Sequence, residues 1–251
     1  MQEIIYGRNA VYESLQAGRR RCEKVLLAEG TREGGAAGRI LAAAKERSIP
    51  VQRVAREQLD QLGAVNHQGV AAQVGPYPYV DMGDVLSLAH QRGQQPFLLL
   101  LDCLQDPQNL GTLLRTAEAV AVHGVILPRR RAVEVTPAVS NASAGAVEHL
   151  LIVQVTNLVR AMADLKQEGI WVVGLEQDPR AQDYRQVDLN MPLALVVGSE
   201  GRGLRRLVRE RCDLLIQLPM GGSINSLNAS VAGSIALYEA WQQRLSHDSG
   251  R

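Results

Sequence analysis

The first segment whose residue types could do chemistry spans residues 106–117. Asn109 can hydrogen-bond backbone groups in a turn, Gly111 permits a tight bend, and the pattern predicts a helix that begins near Thr112. Arg115 would then lie about one turn into that helix, near its positive end, where a cation gains nothing from the helix dipole. This position indicates that an anion comes near the guanidinium; the alternative is a solvated surface arginine.

A second segment, residues 195–204, combines glycines with one carboxylate. Its three glycines, of which Gly198 is the first, would allow a ligand to approach the backbone closely. The spacing does not match the dinucleotide fingerprint GxGxxG, because Arg206 stands where the third glycine would be. Glu200 could accept a hydrogen bond from a hydroxyl group, or it could cap the helix that follows.

The third segment, residues 218–230, follows an apolar run and is rich in small polar side chains. Ser223, Asn225, Ser226 and Asn228 all fall within it. Ser226 or Asn228 could serve as the N-cap of the last helix, but capping needs only one such residue. The surplus of polar side chains favours a loop that binds a ligand.

Histidine and cysteine are not placed for the commoner kinds of catalysis. The five histidines are scattered outside the three segments, so no Ser-His-Asp or Cys-His arrangement can be assembled, and no GxxxxGK[ST] phosphate loop occurs. Cys22, Cys103 and Cys212 are far apart and form no CxxC pair, which argues for a reducing compartment and against a disulfide framework or a zinc site. We therefore expect no metal.

The composition is that of an ordinary globular chain. With 251 residues, 46% of them hydrophobic, the chain can bury a core in one or two domains. A net charge of +1 excludes both a disordered tail and a strongly basic coating protein, although a local basic face could still bind nucleic acid. The sequence shows no signal-peptide pattern and no run of about 18 apolar residues, so we expect a soluble, cytoplasmic protein.

Hydrophobic periodicity predicts a small α/β domain in residues 1–75. Its helices are predicted at 9–17, 36–47 and 56–62, and its strands at 25–28, 51–54 and 69–74. Residues 76–95 are rich in proline and glycine and hold one weak helix at 85–91, which indicates a linker.

Residues 96–247 are predicted to form a second α/β domain. Continuously apolar runs suit strands of a parallel sheet that is covered on both faces, and they lie at 97–101, 124–127, 150–155, 171–175, 193–197 and 214–218. Helices are predicted at 112–122, 159–168, 204–211 and 229–244. In an open α/β sheet, ligands bind at the loops that leave the carboxyl ends of the strands. All three polar segments follow a predicted strand and belong to that edge.

Three stretches resemble the motifs of the SpoU/TrmH family of RNA 2′-O-ribose methyltransferases: NLGTLLRTAEA, VVGSEGRGL and LPMGGSINSLNASVA. They occur in the family's order, and SAGAVE, between the first two, is similar to a further family segment. The resemblance covers residues 97–243. In the N-terminal part, GRNAVYESL and NHQGV resemble the RlmB-type subgroup, which carries a small RNA-binding domain and modifies large-subunit ribosomal RNA.

The resemblance implies a C-terminal parallel-sheet domain with a deep trefoil knot, a homodimer, and S-adenosylmethionine as a methyl donor bound largely through backbone groups. The positions that match the family's cofactor site are Gly198, Leu218, Met220 and Leu227. The positions that match its functional set are Asn109, Arg115, Glu200, Ser226 and Asn228. Since all five are present, the resemblance implies an active enzyme.

On this basis we expect 2′-O-methylation of a guanosine in 23S ribosomal RNA. The alternatives are methylation of a ribosomal adenosine or of transfer RNA, and a non-catalytic assembly factor with the same fold. A nucleotide-dependent dehydrogenase shares the open α/β layout but is disfavoured by the missing GxGxxG. Arg8, Arg19, Arg20 and Arg21 are predicted to recognise RNA shape; the alternative is an exposed, solvated cluster.

Overall fold

The chain folds into two compact units in the computed structural model, which describes residues 2–62, 66–130, 132–223 and 226–248. Unit 1 consists of Met1–Pro78 and Val135–His149, and unit 2 of Tyr79–Glu134 and Leu150–Arg251. The first division falls within the predicted linker. The segment Val135–His149 belongs to unit 1, whereas the predicted boundaries placed it in the C-terminal domain.

Most elements of the described chain overlap predicted ones. The strands are β1 (Glu3–Tyr6), β2 (Cys22–Ala28), β3 (Val51–Val54), β4 (Val70–Val74), β5 (Phe97–Asp102), β6 (Gly124–Pro128), β7 (Ile152–Val155), β8 (Trp171–Leu175), β9 (Gln182–Asp183), β10 (Leu193–Gly198) and β11 (Leu214–Gln217). The helices are α1 (Arg8–Ala17), α2 (Gly35–Glu46), α3 (Arg56–Gln61), α4 (Met82–Gln91), α5 (Pro107–Ala119), α6 (Pro137–Ala142), α7 (Leu158–Gln167), α8 (Arg206–Arg211) and α9 (Ala229–Asp248), with a 3₁₀ turn at Ala146–His149. β1, β9, α6 and the 3₁₀ turn had no predicted counterpart.

Unit 1 is built on a four-stranded sheet with the order β1-β4-β2-β3. β4 pairs antiparallel with β1 and with β2, and β3 joins β2 in parallel. Apolar side chains of the sheet and of α1 and α2 form its core, including Ile5, Val11 and Ile40. β1 escaped prediction because it is short and its partner is distant in sequence, with Glu3 opposite Val74.

Arg20 is the centre of a buried ion-pair network in unit 1. Its guanidinium lies 2.8 Å from the Glu3 carboxylate and 2.9 Å from the Glu148 carboxylate. The Ser140 hydroxyl accepts from the guanidinium at 3.3 Å and donates to Glu148 at 3.1 Å. The Arg20 side chain has no exposed surface. Ser140 and Glu148 thus take part in the interior of unit 1, although they come from the segment between β6 and β7.

The four arginines predicted to recognise RNA lie in different environments. Arg20 is buried and already paired, so the prediction is wrong for this residue. Arg19 is partly buried, stacks on the Tyr77 ring with 5.4 Å to its centroid, and donates to the Tyr77 hydroxyl. Arg8 and Arg21 are exposed. Residue type alone could not separate these cases, because burial depends on neighbours that are distant in sequence.

Unit 2 contains a seven-stranded sheet with the order β7-β6-β5-β10-β8-β11-β9. Every strand pair in it is parallel, so the predicted parallel-sheet architecture is confirmed. All residues of β5 and β10 are buried, which explains their continuous apolar runs. From β5 the chain runs outward through β6 and β7 on one side and then crosses to β8 on the other side, and β10 later takes the position between β5 and β8. Ligands of open α/β sheets bind at such a switch point. The trefoil knot implied by the resemblance is consistent with this strand order.

Helix α5 begins earlier than predicted. Asp106 is its N-cap and accepts a hydrogen bond from a backbone N–H two residues later at 2.9 Å, and Pro107 occupies the first helical position. Proline is favoured there because its missing N–H would have no partner within the helix. The predicted start near Thr112 is therefore wrong, and Asn109 and Gly111 lie within the helix rather than in a turn.

Candidate active site

Asn109 joins the three polar segments. Its amide nitrogen donates to the Glu200 carboxylate and, at 3.1 Å, to Asp106. Its amide oxygen accepts from the Asn228 amide nitrogen at 3.0 Å, and the Ser230 hydroxyl lies 3.1 Å from the same oxygen. One amide thus holds the loops that follow β5, β10 and β11. We shall refer to Asn109, Glu200 and Asn228 as the amide network.

Asn228 serves the amide network and also caps a helix. Its side-chain oxygen accepts from the backbone nitrogens of Ser230 at 2.9 Å and Val231 at 3.4 Å, which satisfies donors in the first turn of α9. The capping alternative is therefore correct for this residue, but it does not exclude the contact with the first segment. Asn225 lies outside the described residues, and Ser223 is exposed.

Glu200 does not cap the helix that follows it. Helix α8 begins at Arg206, two residues later than predicted, and its N-cap residue makes no side-chain capping bond. The Glu200 carboxylate instead accepts from Asn109. Glu200 therefore makes a long-range contact with Asn109 instead of the local helix-capping bond that the sequence also permitted.

Glycines determine the shape of the loop after β10. Ser199 and Gly203 exchange two backbone hydrogen bonds of 3.2 and 3.0 Å, and Gly201 and Gly203 have φ angles of 73° and 62°. A Cβ atom on Gly198 would overlap the Gly203 carbonyl and lie 2.6 Å from the Leu204 nitrogen. Glycine is required at this position because the loop folds back directly onto the end of β10.

A buried carboxylate anchors the far end of this loop. Asp102, the last residue of β5, is fully buried and accepts from the backbone nitrogen of Arg205 at 2.8 Å and from its side-chain Nε at 2.6 Å. Charge-assisted pairs of this kind are short and strong. The pair holds the start of α8 next to the end of β5. Sequence reasoning missed both residues, although an aspartate that ends an apolar strand was a usable signal.

A pocket of about 260 Å³ lies along the loops that follow β8, β10 and β11. Glu200 and Ser226 line this pocket, and so does the apolar side chain of Val197. The four residues that the resemblance assigns to the cofactor also line it: Gly198, Leu218, Met220 and Leu227. The structure therefore gathers these four residues, Glu200 and Ser226 around one cavity, with Asn109 and Asn228 bonded beside it.

Arg115 stands apart from the other predicted catalytic residues. It is the ninth of the 13 residues of α5, so the expectation that it lies near the positive end of the helix is wrong. Its side chain is exposed and, among the described residues, makes no hydrogen bond or ion pair. Helix α5 packs against α9, where the hydroxyls of Thr116 and Ser234 lie 2.8 Å apart. A guanidinium in this state is available to a phosphate.

The described part of the chain shows neither a metal-binding cluster nor a reactive thiol at Cys22 or Cys212. No group of three or more His, Cys, Asp or Glu side chains there is placed to hold a metal ion. Burial raises the pKa of Cys22 to about 11 and that of Cys212 to about 12, so both thiols stay protonated at neutral pH. No described helix has the length and apolar character needed to cross a membrane.

Two family models match this chain, and together they span most of it. The SpoU rRNA Methylase family matches residues 96–238, and the family described as RNA 2′-O ribose methyltransferase substrate binding matches residues 4–80. The second match lies within the main segment of unit 1 apart from its last two residues, and the first falls largely in unit 2.

Individual proteins that are similar to this chain indicate the same family of methyltransferases. YacO of Bacillus subtilis, assigned to the TrmH family of tRNA/rRNA methyltransferases, is 48% identical over 242 residues and covers 96% of each chain. The crystal structure of the SpoU methyltransferase AviRb from Streptomyces viridochromogenes, in complex with AdoMet, is 25% identical, has a TM-score of 0.81, and covers 98% of this chain and 91% of that one. A structure concerning the 2-OH methylation of C/U34 on tRNA matches 62% of this chain and 99% of its own, with 26% identity and a TM-score of 0.53. The chain belongs to the SpoU rRNA methylase family.

Proposed function

We propose that this protein methylates the ribose 2′-hydroxyl of a guanosine in 23S ribosomal RNA. S-adenosylmethionine-dependent 2′-O-methylation of RNA is the activity of the family to which the chain belongs. The observation that carries the proposal is the amide network, which joins three loops beside a pocket lined by Gly198 and Leu218. The choice of 23S ribosomal RNA and of guanosine goes beyond the activity that the family shares.

The pocket has the lining that S-adenosylmethionine needs. Leu175, Leu218 and Leu227 offer apolar surface to a flat base, and the glycines of the second loop expose backbone groups to a ligand. A side chain at Gly198 would clash with the backbone of the second loop and so change the shape of the pocket. When bound, the cofactor supplies a methyl group that is already activated by a positive sulfur. The AdoMet complex of AviRb, which has the same fold, supports this use of the pocket.

Positioning is the main task of the amide network. Transfer of the methyl group requires the ribose oxygen in line with it, and holding reactants in such geometry accounts for much of an enzyme's rate enhancement. Because Asn109 is bonded to both Glu200 and Asn228, it links the three loops directly to one another. Ser226, which lines the pocket, can orient the ribose or the methionine part of the cofactor.

Arg115 is proposed to stabilise charge rather than to take a proton. A guanidinium stays protonated in proteins, so it is a poor general base. It can stabilise the alkoxide that develops on the ribose and bind the adjacent phosphate through two parallel hydrogen bonds. Within the described residues Arg115 forms no ion pair, which supports this role, because no carboxylate of the protein neutralises its positive charge.

Arg115→Ala tests the catalytic part of the proposal. We expect its kcat for methyl transfer to ribosomal RNA to fall at least about 100-fold, since one stabilising donor of a developing oxyanion contributes this much. Affinity for S-adenosylhomocysteine, measured by calorimetry, should stay unchanged. Arg115→Lys keeps the positive charge but loses the planar guanidinium that forms two parallel hydrogen bonds, so it should recover only part of the rate. A normal rate in Arg115→Ala would remove this residue from the mechanism.

A homodimer is also part of the proposal. Val231, Ile235, Tyr238 and Leu245 are exposed on α9, at spacings that place them on one face of the helix. Exposed apolar faces of this kind mark contact sites. A second copy of the chain is the occupant that the family resemblance implies.

Ribosomal RNA is favoured over transfer RNA by the extent of the matches. The structure concerned with tRNA aligns over 99% of its own length yet covers only 62% of this chain. This chain also matches the substrate-binding family at residues 4–80, outside the methylase match at residues 96–238. A ribosomal substrate would place the protein in the cytoplasm.

Mapping of 2′-O-methylation in cells with and without the gene tests the substrate. Loss of a single guanosine mark in 23S ribosomal RNA is the expected result. A lost adenosine mark or a lost mark in transfer RNA would correct the substrate, and no lost mark at all would favour the assembly factor.

A further inference from the structure

Glu176 lies in the pocket but belongs to none of the three motifs. It directly follows β8, is partly buried, and lines the pocket together with Gly203. Its Oε2 accepts a hydrogen bond from the backbone nitrogen of Leu204 at 2.6 Å. A Cβ atom on Gly203 would lie 2.5 Å from each carboxylate oxygen. The carboxylate therefore packs directly on the backbone of the glycine loop.

The charge of Glu176 has no neighbouring cation within the described residues, where no Lys, Arg or His nitrogen comes within 4.0 Å of it. A carboxylate offers about four acceptor sites, and the Leu204 N–H occupies one of them. Keeping a charge away from water is costly unless hydrogen-bond donors compensate it. A ligand in the pocket can supply those donors.

The strand order places Glu176 away from the amide network. β5 and β8 lie on opposite sides of β10, and neighbouring strands are about 4.8 Å apart, so the ends of β5 and β8 are separated by about 10 Å. Asn109 belongs to the loop and helix that follow β5. Since the proposed function puts methyl transfer beside the amide network, a residue at the end of β8 is suited to a part of the cofactor that is distant from the methyl group.

We infer that Glu176 accepts hydrogen bonds from the ribose hydroxyls of S-adenosylmethionine. Leu175 and Leu218 provide apolar surface next to it, which suits the adenine base, and the ribose is joined directly to that base. Its two hydroxyls are donors, as the unused acceptor sites of Glu176 require. The inference rests on the proposed function, because it concerns the same cofactor pocket.

Calorimetry on the full-length protein can test this contact with three ligands. They are S-adenosylhomocysteine, methylthioadenosine, which keeps the adenosine but lacks the amino-acid part, and 3′-deoxy-methylthioadenosine. Glu176→Ala should weaken the first two by the same factor, about 10- to 100-fold, because hydrogen bonds to a charged group are lost. Loss of the 3′-hydroxyl should cost the native protein about 10-fold and the variant almost nothing.

Two further variants control for structural effects. Glu176→Gln keeps an acceptor for the Leu204 N–H and should show the same pattern with a smaller loss, whereas Glu210→Gln, an exposed carboxylate on α8, should bind all three ligands normally. Equal weakening of the hydroxyl and deoxy ligands would mean that Glu176 only supports the loop. Normal binding of methylthioadenosine by Glu176→Ala would mean a contact with the amino-acid part. Either result would overturn the inference about Glu176 but leave the proposed function standing. If the native protein did not bind S-adenosylhomocysteine at all, both the inference and the proposed function would be overturned.

Discussion

Two polar networks in this protein use similar groups in opposite surroundings. In unit 1, Arg20, Ser140 and Glu148 bond to one another out of contact with water, and the arginine side chain has no exposed surface. In unit 2, Glu200 and Asn228 are exposed, Asn109 is only partly buried, and Glu200 borders the pocket. The first network is closed to ligands, whereas the second is open to them.

The difference shows that burial decides what a polar side chain can do. Burial raises the pKa of the Glu148 carboxyl even though Arg20 lies beside it, so the charged form persists only because of its partners. Such a pair is costly to break and cannot serve a substrate. Exposed side chains give up less hydration on folding, so an open network can keep its groups available for catalysis.

The largest expected effect comes from breaking the closed network. Arg20→Met leaves Glu148 buried without its cation, so we expect the free energy of unfolding of unit 1 to fall by about 3–5 kcal/mol. Hydrogen exchange of residues 2–62 during urea titration measures this loss. Tryptophan fluorescence would not report it, because both tryptophans lie in unit 2.

The neighbouring arginine offers a matched control. Arg21 is exposed, so Arg21→Met should change the stability by no more than about 0.5 kcal/mol. Adding Glu148→Leu to Arg20→Met should recover part of the loss, because no unpaired charge is then buried. If Arg20→Met cost no more than Arg21→Met, the network would not be closed and the contrast between the two networks would disappear.

Acid should weaken unit 2 through His123, an effect of up to about 3 kcal/mol. The Phe97 N–H donates to its Nδ1 at 3.1 Å, and burial lowers its pKa from 6.5 to about 4. The folded state therefore binds fewer protons than the unfolded state, and stability is lost as the pH falls from 6.5 towards 4. The raised pKa of Glu148 has the opposite sign, since its protonation favours the folded state of unit 1 at low pH.

Tryptophan-monitored unfolding between pH 7 and pH 4 checks this prediction. His123→Asn can still accept from the Phe97 N–H but cannot be protonated, so its stability should depend less on pH than that of the native protein. Identical pH profiles for the two proteins would show that His123 does not titrate as its burial requires.

The smallest effect on stability is expected in the open network. Asn109→Ala should lower the unfolding free energy by about 1 kcal/mol or less, because its hydrogen bonds to Glu200 and Asn228 are exposed to solvent. Its methyl-transfer rate should nevertheless fall about 10- to 100-fold, since the loops are no longer aligned. Thr112, on the exposed face of α5, serves as the control: Thr112→Ala loses only a bond to the Gln108 carbonyl and should match the native protein in both measurements. A large loss of stability in Asn109→Ala without a loss of rate would reverse the contrast.

Except for the two-residue β9, the strands of unit 2 were predictable, because strands that are buried on both faces consist largely of apolar residues. β5 and β10 are covered on both faces, so each reads as an unbroken apolar run. β1 was not predictable, because its stability comes from pairing with β4 at the other end of the N-terminal segment. The early start of α5 was missed because Asp106 and Pro107 were read as part of a turn, although they also form an N-cap and a first helical residue.

The candidate site was predictable to the extent that its residues stand in motifs. Asn109, Glu200 and Asn228 could be named from the resemblance, and the structure brings them together. Asp102 and Glu176 stand in no motif. The role of each is revealed by a contact with the loop after β10, although the position of Asp102 at the end of an apolar strand was a signal in the sequence.

The amino-acid sequence alone determined the family, the alternation of strands and helices, and the residue types gathered in three loops, because these depend on local order along the chain. Tertiary structure decided which polar groups are buried. Arg19, Arg20 and Arg21 are identical neighbours in sequence, yet the first is partly buried and donates to the Tyr77 hydroxyl, the second is enclosed with Glu148, and the third is exposed to solvent. Burial is set by the packing of distant segments, and it fixes whether a charge stabilises the fold or remains free to bind RNA.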